Sequence, residues 1–488
     1  MSGVWRGRRD PQLCGETAHP IRRLIPVVLV GLCTAIPSLA ADGSPALCLT
    51  AAPVLGVVFW LFRHPTRWFL GFAAATLLLP PLPLPAGESG PHLAVLFAAL
   101  GLWMGATGLR KWRVPLNWTT GAATAMLLAM LFSVICALLY SGPRIAAGSF
   151  ARVVLFGISL YTLFYFAYGP ATDEPDEPLR WVRWLYGLGV ASALIACVDF
   201  YYQLPPPAGF GEQFVWLPMG VYRRAQGMFY EAGVLGNLCS FFLVMMALAW
   251  LRPAVTRPVI SRKMLAAGGL VFSAALAFSF SRASLLNALA GLAAVLVICR
   301  GQLPFRRVAP VAVIALAGGL ALTYTLFPAF VESYVMRLIY SGLDLTAKPD
   351  NVLGGRLETW GTILAALGQN GTKLLFGVGF KTLPYGGLTG EPLIADNMYL
   401  SMLAETGVVG LGAMLAFQAA ILASAYRAAR SRDGTASFLG ACFFCFWIGQ
   451  LLQMLSVDAL TYWRVLPLYF AVLGLAVRER DRYDRSGP

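Results

Sequence analysis

Four arginines and a few carboxylates carry most of the chemistry this sequence offers. Arg223 and Arg224 stand side by side, Arg282 sits in Phe280-Ser281-Arg282-Ala283-Ser284, and Arg356 opens a stretch of helical character. A guanidinium stays charged and presents a planar fork of N–H donors that fits phosphate oxygens in pairs. Several guanidiniums on one face would suit a diphosphate. The acidic candidates on the same face are Asp199, Glu231, Glu358, Asp396, Glu405 and Asp458. Asp396 and Glu405 lie at the edge of and inside an apolar run, where a carboxylate is costly and points to function. The plainer reading of each arginine is an interfacial side chain with its stem in apolar surroundings and its head in water. The plainer reading of each carboxylate is an ion pair that serves folding.

These side chains must be positioned by membrane helices. The chain has 488 residues, of which 58% are hydrophobic and only 12% charged. A soluble chain carries about 25% charged residues. Apolar runs long enough to cross a hydrocarbon layer, about 17–25 residues each, recur from end to end. Leu, Ala, Val, Gly and Phe dominate them and strand-type alternation is absent, so helices rather than a closed barrel are expected. The expected fold is an all-α polytopic membrane protein of about 12–14 transmembrane helices, with one large periplasmic loop containing short helices. Residues 1–23 form a cytoplasmic N-terminal tail, 24–327 the first eleven spans, 328–397 the large loop, 398–478 the last three spans and 479–488 a cytoplasmic C-terminal tail. Within the loop, Leu357 to Leu367 is expected to form an amphipathic helix. Pro80, Pro81, Pro83 and Pro85 end the third span.

Basic residues set the orientation. With both termini in the cytoplasm, most of the 37 Lys and Arg fall on that side. The clusters are Arg6 to Arg23, Arg63 and Arg67, Arg110-Lys111-Arg113, Arg180 and Arg183, Arg252 to Lys263, Arg300 to Arg307, Arg427 to Arg432 and Arg478 to Arg485. Few remain outside: Arg144, Arg152, Arg223, Arg224, Arg282 and Arg464, besides those of the large loop.

Other chemistries find little support. The net charge of +14 is explained by cytoplasmic loops against anionic lipid, and no basic stripe in a soluble module suggests nucleic acid. The N-terminal residues are polar and basic, no cleavable signal peptide is expected, and the first apolar run could serve as an uncleaved signal-anchor. Cys442 and Cys445 form a CxxC amid Phe residues in an apolar run, which reads as packing. His19, His64 and His92 form no zinc cluster. No HExxH, P-loop or Rossmann glycine pattern occurs in a credible context. No metal and no cofactor is expected.

Four motifs in order resemble the O-antigen ligase and O-antigen polymerase superfamily of bacterial membrane glycosyltransferases. They are Arg224-Ala225-Gln226-Gly227-Met228-Phe229, Ser279-Phe280-Ser281-Arg282, Gly355-Arg356-Leu357-Glu358-Thr359-Trp360, and a last set comprising Phe376-Gly377-Val378-Gly379, Asp396-Asn397-Met398-Tyr399-Leu400 and Ala404-Glu405-Thr406-Gly407-Val408-Val409-Gly410. The resemblance covers about 220–425. Ligases of this family place a His where this chain has Asp396; the following spacing, Asn397, nine residues, Gly407, two residues, Gly410, is kept. Asp at that position is similar to the family's polymerases.

The resemblance implies transfer of a glycan from an undecaprenyl-diphosphate-type donor to an acceptor hydroxyl at the periplasmic face of the inner membrane. It implies catalytic roles for Asp396, Arg282 and Arg356. It implies substrate-binding roles for Arg223, Arg224, Asn397, Tyr399, Glu405, Glu358 and Trp360, with Glu405 orienting one of the arginines. Partners would be the lipid-linked glycan donor, a glycan or lipid acceptor, membrane lipids and other polysaccharide assembly proteins. The alternative is a transporter or flippase of lipid-linked glycans. That reading calls for charges through the middle of many spans, whereas here the polar residues gather at one face.

Overall fold

The computed structural model describes residues 66–82, 92–169, 177–207, 209–217, 220–256, 260–301, 356–486 and scattered positions between 324 and 339. The chain divides into two units, Met1–Trp68 and Phe69–Pro488, and every element from Leu93 onward belongs to the second. The N-terminal tail, the first two expected spans, Pro83 and Pro85, His19, His64 and nearly all of the span near 308–327 lie outside the described residues.

The protein is an all-α polytopic membrane protein. Among the described residues its helices include α1 (Arg67–Leu78), α2 (Leu93–Thr107), α3 (Trp118–Ser141), α4 (Pro143–Tyr168), α5 (Glu177–Tyr202), α6 (Ala232–Leu251), α7 (Arg262–Phe278), α8 (Arg282–Ile298), α9 (Arg356–Gly368), α10 (Gly371–Phe376), α11 (Met398–Ala429), α12 (Gly434–Gln453) and α13 (Leu466–Ser486). Among the described residues, six helices are long and apolar enough to cross a membrane: α3, α4, α5, α6, α11 and α12; α1, α2 and α8 are shorter apolar helices.

Local sequence fixes the ends. Asn117 and Thr120 form a reciprocal capping box that starts α3. Pro143 at the first helical position starts α4 directly after Gly142. The last helix continues through Ser486, past the point where the sequence suggests a tail. Arg485 donates back to the carbonyl of Asp481 one turn earlier.

The most enclosed spans are α6, with 78% of its most apolar window buried, and α12, with 67%. By contrast α3 is apolar on its outer face too, where Leu128, Phe132, Ile135, Leu138 and Leu139 are exposed, as lipid-facing side chains are. Between α6, α8, α12 and α13 lies a buried amide network. Asn237 and Asn287 each donate to Gln450 and Gln453, Gln453 donates to Ser284, and Tyr469 donates to Asn237. In lipid such groups must find partners within the protein. This network clamps the first turns of α8, and so the position of Arg282, to the centre of the bundle. Cys442 and Cys445 of α12 are both buried and free, as packing residues are.

One element departs from the expected helices. Between α5 and α6, β1 (Phe214–Leu217) and β2 (Gly220–Arg223) pair antiparallel, with Phe214 opposite Arg223. Four-residue strands are too short to show alternation above the apolar background of this chain. The large loop does contain short helices: α9 covers the expected Leu357–Leu367 stretch, followed by α10 and a single 3-10 turn at Leu383–Tyr385. Ile363, Leu367, Val378, Leu383, Leu388 and Ala395 from this region close over Ala404 of α11 as a small core of its own.

Candidate active site

The site is built on a break in α11. Gly407 has φ 71 and ψ −175 inside the helix, so the turn before it cannot complete its own hydrogen bonds. The carbonyls of Ala404 and Glu405 instead accept the N–H groups of Val378 and Gly379, at 3.1 and 2.8 Å. Gly377 and Gly379 also have positive φ, at 75 and 119. A Cβ on Gly407 would strike the backbone of Leu375 and Phe376, and one on Gly377 would strike the backbone of Glu405 and Thr406. The Phe376-Gly377-Val378-Gly379 and Gly407 motifs are thus two halves of one joint. It pins the loop after α10 onto α11.

That joint sets the height of the segment returning to α11. Asn397 caps the helix, accepting the N–H groups of Tyr399 and Leu400. Met398 N–H is held by the carbonyl of Met454, and the Tyr399 hydroxyl donates to the carbonyl of Leu451. Directly before the cap, Asp396 accepts from Arg356 Nη2 at 2.9 Å, with 27% of the arginine side chain and 47% of the aspartate exposed. The pair is open to a ligand from outside. Trp360, one turn along α9 from Arg356, donates its indole N–H to the carbonyl of Ala395 at 2.7 Å. Trp360→Phe keeps the ring and removes that bond. An activity loss of about five-fold is expected, the size of one hydrogen bond of about 1 kcal/mol, with unchanged expression. Unaltered turnover would show that Trp360 does not position Asp396.

The second wall is the loop from β2 to α6. Asp199, near the end of α5, organises it: it accepts from Gln226 N–H at 3.2 Å, Gly227 N–H at 3.1 Å and the Arg223 guanidinium at 3.5 Å. Arg223 also meets Glu212 at 3.6 Å and is itself buried. Arg224 points the other way. Its Nε donates to the carbonyl of Ser279 at 2.8 Å, and Glu231, Tyr462 and Arg282 surround it. Its pKa is lowered, by burial first and by the like charge of Arg282, while Tyr462 and Glu231 oppose the change. Arg282 in turn feels the charge of Arg356. The three arginines therefore converge, although they come from a loop, the start of α8 and the start of α9.

Beneath them Lys381 is paired with Asp458, whose other oxygen accepts from Ser401 at 2.9 Å. Burial alone would lower the Lys381 pKa; Asp458 and Glu405 outweigh it and the net shift is upward. Glu405 is buried beneath this pair, approached by backbone groups of Lys381 and Leu383. Its charged neighbours are Lys381 and Asp458 rather than an arginine. Arg152 of α4 holds the same loop from the side, donating to the Lys381 carbonyl and the Tyr385 hydroxyl.

Five described non-glycine residues have positive φ: Gln203, Tyr230, Phe280, Lys381 and Asp396. Each costs about 1–2 kcal/mol. The last four each border this site, two of them directly before Glu231 and Ser281. Strain gathered in this way is a mark of functional sites.

The structure brings together Arg224, Arg282, Arg356 and Asp396. It gives Arg223, Asn397 and Tyr399 partners within the protein, places Glu405 under Lys381 and leaves Glu358 exposed on α9. Lys381, Ser401 and Tyr462 join the site without having stood out in the sequence. A lysine in a glycine-rich loop, a serine in an apolar helix and a tyrosine near a span end carry no local signal. Among the described residues no three His, Cys, Asp or Glu side chains gather as metal ligands would.

No curated protein matches the chain. Residues 267–415 match the family described as O-antigen ligase, a stretch that includes Arg282, Arg356, Trp360, Asp396 and the Gly377–Gly407 joint, but neither Arg224 nor Glu231. The resemblance read from the motifs therefore holds at this stretch: an O-antigen ligase domain is found at residues 267–415 of this polytopic membrane protein, in support of the O-antigen ligase and polymerase superfamily.

Proposed function

We propose that this protein is a membrane glycosyltransferase that moves a glycan from an undecaprenyl-diphosphate-type donor to an acceptor hydroxyl at the periplasmic face of the inner membrane. The observation that carries this reading is the convergence of Arg224, Arg282 and Arg356. Three guanidiniums drawn together repel one another, and an anionic ligand relieves that cost. A diphosphate leaving group gains negative charge as its bond to the sugar breaks, so the arginines act most strongly in the transition state. Direct displacement by the acceptor oxygen inverts the anomeric centre, and the guanidiniums take the charge-neutralising role that a metal plays elsewhere. Asp396, on the open side of Arg356, positions the acceptor hydroxyl. Arg223, Asn397, Tyr399 and Trp360 hold the walls, and Glu358 lies at the rim. Both termini are cytoplasmic in this arrangement, and the 328–397 loop is periplasmic.

The Asp in place of the ligase His favours a polymerase, with a second lipid-linked glycan as acceptor. The test is reconstitution of the purified protein with a labelled polyprenyl-diphosphate glycan. The expected product is a longer lipid-linked glycan with inverted linkage, formed in the presence of chelator. Transfer only to a lipid A core acceptor would assign a ligase. Movement of the donor across the bilayer without a new glycosidic bond would overturn the transferase reading.

A further inference from the structure

Among the described residues, the carboxylates that face the arginines are either engaged or shut away by burial, with one exception. Asp396 accepts from Arg356 and Asp458 from Lys381 and Ser401, while Glu405, whose Oε2 has no hydrogen-bond partner, is buried beneath Lys381 where no ligand reaches it. The exception is Glu231. It stands at the N-cap of α6, yet its side chain makes no capping hydrogen bond. Gln213 Oε1 takes the N–H of Ala232, one of those an N-cap leaves open, at 3.0 Å. The Glu231 carboxylate is half-buried and turned to the site, with Oε1 and the Tyr462 hydroxyl both closing on Gly233. The charged groups facing it come from every wall: Arg224 from its own loop, Lys381 and Asp396 from the segment before α11, and Asp458 from the segment after α12.

We propose that Glu231 is the general base that takes the proton from the attacking acceptor hydroxyl, while Asp396 holds Arg356 and the acceptor in place. This rests on the glycosyl-transfer reading above. The acceptor oxygen bonds to the anomeric carbon as the bond from that carbon to the diphosphate oxygen breaks. The electron pair leaves with the diphosphate, whose charge the arginines neutralise. The hydroxyl proton passes to the Glu231 carboxylate and from there to water. Asp396 is the less suited of the two, because one of its oxygens already accepts from Arg356. Glu231 has no such commitment among the described residues. Burial pushes its carboxyl up to about 7; Lys381 and Arg224 pull it down, and Asp458 and Asp396 push it up. A base with a pKa near the working pH combines a useful ionised fraction with a strong pull on the proton.

The base works ionised, so kcat/KM of the full-length protein rises with pH through about 7 and then levels. Glu231→Gln should lower kcat by about 10²–10⁴-fold, abolish that limb and leave the affinity for a polyprenyl diphosphate within about three-fold. Glu231→Asp, which sets the carboxylate one methylene back, should keep partial activity and a shifted limb. Difference infrared spectroscopy supplies a reading apart from turnover: a protonated carboxyl band lost as pH rises through about 7 and diminished in Glu231→Gln. If Glu231→Gln, folded and binding polyprenyl diphosphate, keeps more than a tenth of the activity with the same pH limb, the base is another group. If the wild-type protein makes no glycosidic bond from any polyprenyl-diphosphate donor, both this assignment and the glycosyl-transfer reading fall.

Discussion

Replacing Arg282 or Arg356 with Ala should cut kcat/KM for glycan transfer by about 10²–10³-fold, the loss seen when one preorganised donor to a developing negative charge is removed. The two residues should differ in detail. Arg282 opens α8 within reach of the charges of Arg356 and Arg224, so its removal takes away charge stabilisation and relieves repulsion on Arg224. Its loss should appear mainly in kcat. Arg356 also carries the 2.9 Å bond to Asp396. Its removal frees that carboxylate, so the effect should spread to the acceptor KM. A double-mutant cycle of Arg356→Ala with Asp396→Asn separates these contributions: contacting residues couple by about 0.5–3 kcal/mol, and distant ones add. Lys at either position keeps the charge but loses the planar fork, and should recover only part of the rate. Full activity in a folded Arg282→Ala or Arg356→Ala protein would remove that arginine from the mechanism.

The second large effect is structural. Gly407→Ala should destabilise the protein by about 3 kcal/mol or more and abolish transfer. A φ of 71 with ψ of −175 belongs to a region that side-chain-bearing residues hardly enter, and the new Cβ would collide with the backbone of Leu375 and Phe376. Neither neighbour can rotate aside, as a side chain would. Relief requires separating the 376–379 segment from α11, and with it the returning segment that carries Asp396. Gly412→Ala is the matched control: it lies further along the same helix, where an added Cβ meets nothing within 4 Å. It should be neutral or slightly stabilising, because Ala is the better helix former. Thermal unfolding in detergent compares the two. Equal melting temperatures for Gly407→Ala and the wild type would show that the joint does not hold the loop.

Composition alone makes this a helical membrane protein, because too few polar residues exist to cover a soluble surface. Its larger elements follow from run length and punctuation, as at Asn117 before α3 and Gly142-Pro143 before α4. The glycines of 376–379 and 407–410 were visible as a spacing. Their partnership was not, since nothing local says that a loop N–H will fill a carbonyl freed by a distant kink. The hairpin at 214–223 was hidden because its apolar residues resemble those of the spans around it.

The site divides along the same line. Residue type and order single out Arg224, Arg282, Arg356 and Asp396, since charge is rare in this chain and costly where these residues lie. The folded chain decides which of the charges are available. Asp199 and Glu212 consume Arg223, Lys381 consumes Asp458, and the α11 cap consumes the Asn397 oxygen, while Glu231 is left with its carboxylate facing two basic groups, Lys381 and Arg224, and two carboxylates, Asp458 and Asp396. Sequence determines which side chains can bear charge in a membrane. Only tertiary structure determines which of them end in a pair, because pairing depends on distances between elements that the chain order leaves open.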